Sequence, residues 1–234
     1  MKLRTIIMWA VCCLLLGLTA LMLPSLAGSI YFVKGNLYLK TGRYREAAAS
    51  YRRTTQLKPN FARAYIDLGD AYLHLKRNEE AARAFTDAIR LREDACAYCG
   101  LGWAEFNLDH RAEALSHFER AIIVNPSDSC AYKGLGRSHY DVGQYGQAAA
   151  AYSRSLALEP ADAETRYALG LSYVGQGNRQ AAFEQAEQLK SSSPALALKL
   201  RELLERRGRV SASVDRRFPA RAAAKPSLPV DENE

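Results

Sequence analysis

Cys96-Ala97-Tyr98-Cys99 is a C-x-x-C, with Cys130 further along the chain. Such a pair can exchange disulfides, carry haem when His follows, or hold zinc when a second pair lies downstream. Gly100 follows here, which excludes haem attachment, and no second pair supports a metal site using these thiols with His74 or His139. The pair lies in a helical pattern rather than a βαβ context, so a thiol oxidoreductase using Cys96 and Cys99 is the disfavoured alternative. Cysteines packed as small apolar residues are the default. Cys12 and Cys13 are read the same way, inside an apolar run. No H-E-x-x-H, G-x-S-x-G or P-loop occurs, and His110 and His117 read as solvent-facing. We expect no enzyme, no cofactor and no metal.

The elements that position these residues emerge from a repeat. Glycines fall at Gly35, Gly69, Gly102, Gly136 and Gly170, at intervals of 34, 33, 34 and 34. Alanines follow each by twelve residues, at Ala47, Ala81, Ala114, Ala148 and Ala182. Aromatics precede the glycine by four (Tyr31, Tyr65, Tyr98, Tyr132) and follow the alanine by four (Tyr51, Phe85, Phe118, Tyr152). Pro59, Pro126, Pro160 and Pro194 close the units. Each unit holds two apolar-periodic runs of about 13 residues around a polar turn, which reads as an antiparallel helix pair. A helical glycine costs roughly 0.5–1 kcal/mol against alanine, so five at one position predict a close backbone approach, with the alanines facing them. The spacing also makes Cys130 the counterpart of Cys96 one unit later. Helix packing can then bring Cys130 near Cys99, and an oxidising compartment would permit a bridge.

The pattern resembles the tetratricopeptide repeat, in five units at 28–61, 62–94, 95–128, 129–162 and 163–194. The resemblance implies an all-α helix-turn-helix solenoid, a right-handed superhelix whose concave groove is lined by the first helix of each pair. Carried onto this chain, the groove positions include Asn36, Arg63, Asp67, Asp70, Trp103, Phe106, Lys133, Arg137 and Tyr140. That surface would be acidic-polar at one end, aromatic in the middle and basic beyond. An exposed Trp near Arg is the composition of a binding hot spot, although Trp103 and Phe106 could instead pack between helices. The family's carboxylate-clamp mode fits poorly, because Phe32 stands where Lys is needed and Asp67 where Asn is needed. Two departures stand out: Glu93 replaces a closing proline, and the fifth unit has Arg166 and Ala186 where aromatics belong, which reads as a weaker end unit.

Outside the repeats, Lys2 and Arg4 precede a charge-free stretch from Thr5 to Val33. Its core, Ile6 to Leu23, would span roughly 27 Å as a helix, close to a bilayer's hydrocarbon thickness. Residues 1–27 therefore read as a signal-anchor transmembrane helix or as a leader cleaved after Ser25-Leu26-Ala27. Either places the repeats on the non-cytoplasmic side, membrane-anchored or exported to a periplasm or secretory lumen. A reversed anchor would leave them cytoplasmic, and the basic residues after the span weaken the orientation signal. Leu196, Leu200, Leu203 and Leu204 predict a capping helix over 195–208. The tail 209–234 reads as disordered. The net charge of +7 sits at the two ends, since residues 34–190 hold 21 basic and 19 acidic side chains. Specific nucleic-acid binding is not expected. The sequence thus predicts a membrane-tethered or exported scaffold that binds a peptide or helix of a partner protein in its groove, in assembly of a membrane or envelope complex. A self-associating structural module is the alternative.

Overall fold

A computed structural model describes the backbone of residues 25–217 and side chains as far as Arg206. Among the described residues there are eleven helices and no strand. Helix α1 covers residues 25–40, followed by α2 (Tyr44–Leu57), α3 (Ala62–His74), α4 (Asn78–Leu91), α5 (Ala95–Asn107) and α6 (Arg111–Val124). The array continues with α7 (Ser129–Asp141), α8 (Tyr145–Leu158), α9 (Ala163–Gln176), α10 (Arg179–Ser192) and α11 (Pro194–Arg217).

Local chemistry sets the helix limits. Asp94, Asp128 and Asp162 cap α5, α7 and α9, their carboxylates accepting from backbone N–H groups of the first turn. Such a cap contributes about 0.5–2 kcal/mol. One turn residue in each of the five units adopts a left-handed backbone: Gly42, Lys76, Asp109, Gly143 and Gly177. Glycine takes that conformation freely, whereas Lys76 and Asp109 meet Cβ crowding. Before Pro59, Pro126, Pro160 and Pro194, residues Lys58, Asn125, Glu159 and Ser193 leave the helical region, as the proline ring demands.

Packing corrects one expectation about the repeat. The alanines are buried completely, but the glycines face the aromatics that follow them. A Cβ at Gly35, Gly69, Gly102 or Gly136 would lie 2.6–2.8 Å from the ring of Tyr51, Phe85, Phe118 or Tyr152. Two of these rings are held from the other side as well, Phe85 by Gly100 and Phe118 by Gly134, both on the first helix of the next unit. One ring between two glycines thus locks a unit to itself and to its successor.

The ends differ from expectation in three respects. Residues 25–27, assigned to the leader, form one helix with the first unit. The capping helix runs to Arg217, beyond residue 208, so 209–217 is helical rather than irregular. Gly208 costs only about 1 kcal/mol in a helix, and no proline intervenes before Pro219. The fifth unit is not weak for want of an aromatic, because Leu200 of α11 sits over Gly170, where a Cβ would meet it at 2.3 Å. Residues 1–24 and 218–234 lie outside the described residues, and with them the proposed span and most of the tail. Among the described residues, no helix is long and apolar enough to cross a membrane.

Candidate functional site

The first helices form one row, with α3 touching α5, α5 touching α7 and α7 touching α9. Neighbouring second helices make no comparable contact among the described residues. The side where helices crowd is the concave one, so the first helices line the groove. Residues one past each repeat glycine make a column along it: Asn36, Asp70, Trp103 and Arg137.

At the groove's first end, Asn36 accepts a hydrogen bond from the Tyr51 hydroxyl at 2.8 Å. It is therefore partly committed to holding α1 on α2. Arg63 is exposed and pairs with Asp67 at 2.9 Å. Asp67 itself is 3% exposed, which removes it from the groove surface. It sits two residues before the glycine, where Gly100 and Gly134 meet the preceding unit in later repeats. Asp70 is half-buried, and its pKa is pushed up to about 6, first by burial and then by the charge of Asp67.

The middle is aromatic. Trp103 is half-buried and packs edge-on against Phe106 and Phe118, ring centroids 5.7 and 5.3 Å apart. Its indole N–H points at Cys130 Sγ, 3.3 Å away. Phe106 is buried rather than presented to a ligand, beneath the guanidiniums of Arg111 and Arg137 at 4.0 and 5.8 Å. Cys99 and Cys130 are joined by a disulfide, Cα–Cα 6.6 Å, which ties α5 to α7 directly behind Trp103. The Asp128 carboxylate lies within 4.8 Å of both sulfurs. The sulfurs are spent on each other and Asp128 caps α7, so this trio offers a metal no thiolate. Cys96 keeps its thiol, with its pKa raised by desolvation and then by Asp94 and Asp128.

The far end is basic, with its charges partly answered. Lys133 reaches Asp162 at 2.5 Å and Arg137 reaches Asp141 at 3.1 Å. Burial opposes ionisation of Asp162, but Lys133 and the backbone N–H and hydroxyl of Thr165 outweigh it and hold the carboxyl down to about 2. Tyr140 packs edge-on against Tyr145 at 5.4 Å. Trp103, Lys133 and Arg137 line an open cavity of about 190 Å³ together with Tyr152, Glu164 and Thr165. Glu164 is absent from the groove positions of the first four units, yet it is the fifth-unit counterpart of Arg63, Cys96 and Cys130, so the same position one unit further identifies it.

A second cavity of about 420 Å³ had no signal in the repeat pattern. It lies between α2 and the α3–α4 turn, with Arg45, Arg52 and Arg77 around Tyr72 and Leu75. Arg77 is paired with Glu80, whereas Arg45 and Arg52 show no ion pair among the described residues. Of the histidines, His110 is exposed, but His117 is half-buried and stacks on Tyr98, against expectation. Burial lowers its pKa.

This architecture defines a class: an all-helical repeat array with a continuous inner groove. A family model described as Tetratricopeptide repeat matches residues 32–95, and one described as TPR repeat matches 136–177. The human Protein O-mannosyl-transferase TMTC3 is 31% identical over 101 residues, 42% of this chain and 11% of that protein. The human Cilia- and flagella-associated protein 70 is 28% identical over 100 residues, 42% of this chain and 9% of that one. The match thus spans about a tenth of the length of these relatives. Among solved structures, YrrB, "a TPR protein with an unusual peptide-binding site", is 25% identical with a TM-score of 0.56, covering 74% of this chain and 90% of that one. The pilus biogenesis factor PilW is 22% identical with a TM-score of 0.67, covering 83% and 95%. The chain is built of tetratricopeptide repeats, matched over residues 32–95 and 136–177.

Proposed function

We propose that this scaffold is a membrane-tethered or exported adaptor that holds a peptide or helix of a partner protein in its groove, with Trp103 and Arg137 as the main contacts. The observation that carries this reading is the cavity joining Trp103, Lys133 and Arg137. A rigid indole face beside Arg137, Glu164 and the Asp-paired Lys133 suits an apolar side chain flanked by a polar one. Asp70, one unit before Trp103, suits a basic residue at the other end of the same segment. Tethering is inferred from the charge-free run Thr5 to Val33, and the non-cytoplasmic side from the leader's form and the Cys99–Cys130 bridge. Assembly of an envelope complex is an analogy with PilW, whose likeness extends to the fold. A thiol oxidoreductase is disfavoured because the Cys96 thiol is shifted away from the thiolate.

The test is crosslinking of the full-length protein in its native membrane, with identification of captured partners, beside a Trp103→Ala/Arg137→Glu variant. A partner lost in the variant supports the groove. A partner retained moves the site elsewhere, first to the Arg45 and Arg52 cavity.

A further inference from the structure

Ile30, Val33 and Leu37 stand five and two residues before Gly35 and two after it. At these places the later units carry Ala64, Asp67 and Ala71, then Ala97, Gly100 and Ala104, then Ala131, Gly134 and Ser138. Those side chains are small or short and buried, because the preceding unit packs over them. The first unit has no unit before it among the described residues, and its residues there are large, apolar and exposed. Leu26, Ile30, Val33 and Leu37 are 62%, 61%, 66% and 61% exposed, in one stripe at intervals of four, three and four along α1.

A solenoid end that meets water carries a polar face, and an end that stacks on another repeat carries small residues at these places. This end does neither. Its surroundings select the occupant. Lys34 lies one turn beyond Ile30 and Lys40 one turn beyond Leu37, so both border the stripe. Lys34 and Lys40 are the only charged residues of α1, which carries no acid. Two copies paired through α1 would bring these lysines together without acids to answer them. Upstream, no charged residue interrupts the chain between Thr5 and Val33, so the stripe begins where an apolar run ends.

We propose that this end face of the solenoid lies on an anionic bilayer, with the α1 stripe in the interfacial region and Lys34 and Lys40 among the headgroups. The inference rests on the tethered reading. It adds that the first unit is seated on the membrane and that the array leads away from it, leaving the groove around Trp103 clear.

The test uses the full-length chain in nanodiscs of phosphatidylcholine, with or without phosphatidylglycerol. Val33→Cys and, separately, Leu37→Cys are labelled with a water-soluble maleimide and read peptide by peptide by mass spectrometry, so native cysteines stay in place. Ile123→Cys, on α6 and 67% exposed, is the control that should label equally in both lipids. Two basic residues at an anionic surface predict roughly 30-fold slower labelling of the α1 positions on anionic discs. Lys34→Glu/Lys40→Glu should abolish the difference. Equal rates on the two lipids overturn the proposal. If both are fast the face is free, and if both are slow with α1–α1 crosslinks a second copy covers it. A chain that never enters the discs overturns the tether and this inference together, whereas insertion with fast labelling overturns this inference alone.

Discussion

Phe85 carries the seam between the second and third units, and alanine at Gly100 is the smallest change that challenges it. The Phe85 ring is fully buried, and a Cβ at Gly100 would lie 2.3 Å from two of its carbons. Carbon atoms in good contact sit at about 3.5–4.0 Å, so ring or helix must yield by more than about 1 Å. Gly69 already limits the ring from the other side, with a 2.7 Å approach for its own Cβ. Overpacking of this kind costs about 1–3 kcal/mol, and the helix preference of alanine offsets about 0.8–1.0 kcal/mol. Gly100→Ala should therefore destabilise by roughly 1 kcal/mol. Gly146→Ala is the internal control, because a Cβ there meets nothing within 4 Å in the first turn of α8. It should stabilise by roughly 0.4–1 kcal/mol. Thermal unfolding followed by circular dichroism would read each kcal/mol as about 2–4 °C in a chain of this size. If Gly100→Ala raised the melting temperature as Gly146→Ala does, the ring would not sit between α3 and α5.

Lys76→Gly should stabilise by roughly 0.5–1 kcal/mol, since Lys76 holds a left-handed backbone (φ 58°) where three other units have glycine. A lower denaturant midpoint would mean that its side chain holds the turn. The disulfide closes a sequence separation of 31 residues, for which chain entropy gives about 3–4 kcal/mol. Cys130→Ser, or reductant on the native chain, should lower the melting temperature markedly, and an unmoved transition would show that the thiols are not bonded. The raised pKa of Asp70 means that the folded chain binds more protons than the unfolded one between about pH 4 and pH 6. Stability should fall as pH rises through that window, by up to about 3 kcal/mol and less where groove water screens the charge. Asp70→Asn should flatten the fall, and a wild-type profile that rises there would contradict the assigned environment.

The fold was legible because the repeat writes packing into residue type. Glycine, alanine and aromatic recur at fixed intervals; in the first four units the glycine and the second-helix aromatic form one ring-on-glycine contact, and the alanines are buried beside it. The aspartate caps of α5, α7 and α9 are equally periodic but lie outside a repeat pattern that is defined by apolar residues. The site was less legible, for a geometric reason. Two residues on one first helix, such as Asp67 and Asp70, are less than a turn apart, yet one faces the preceding unit and the other the groove. Polarity does not separate them, whereas position relative to the repeat glycine does. Phe106, four residues past its glycine, is likewise buried under two guanidiniums rather than on the binding surface.

Applied to the two ends of the array, that positional rule shows how differently they are finished. At the last unit the second helix has given up its aromatic for Ala186, and Leu200 fills the space over Gly170 from the helix that follows. There a departure from the repeat is compensated within the chain, and Ala186 and Leu200 are both fully buried. At the first unit the departure runs the other way, toward larger apolar residues that no described element covers. A burial preference of about 25 cal/mol per Å² of apolar surface makes four such side chains in one stripe a surface suited to a partner or a membrane. The C-terminal end is closed by its own sequence, while the N-terminal end is shaped for something outside the array.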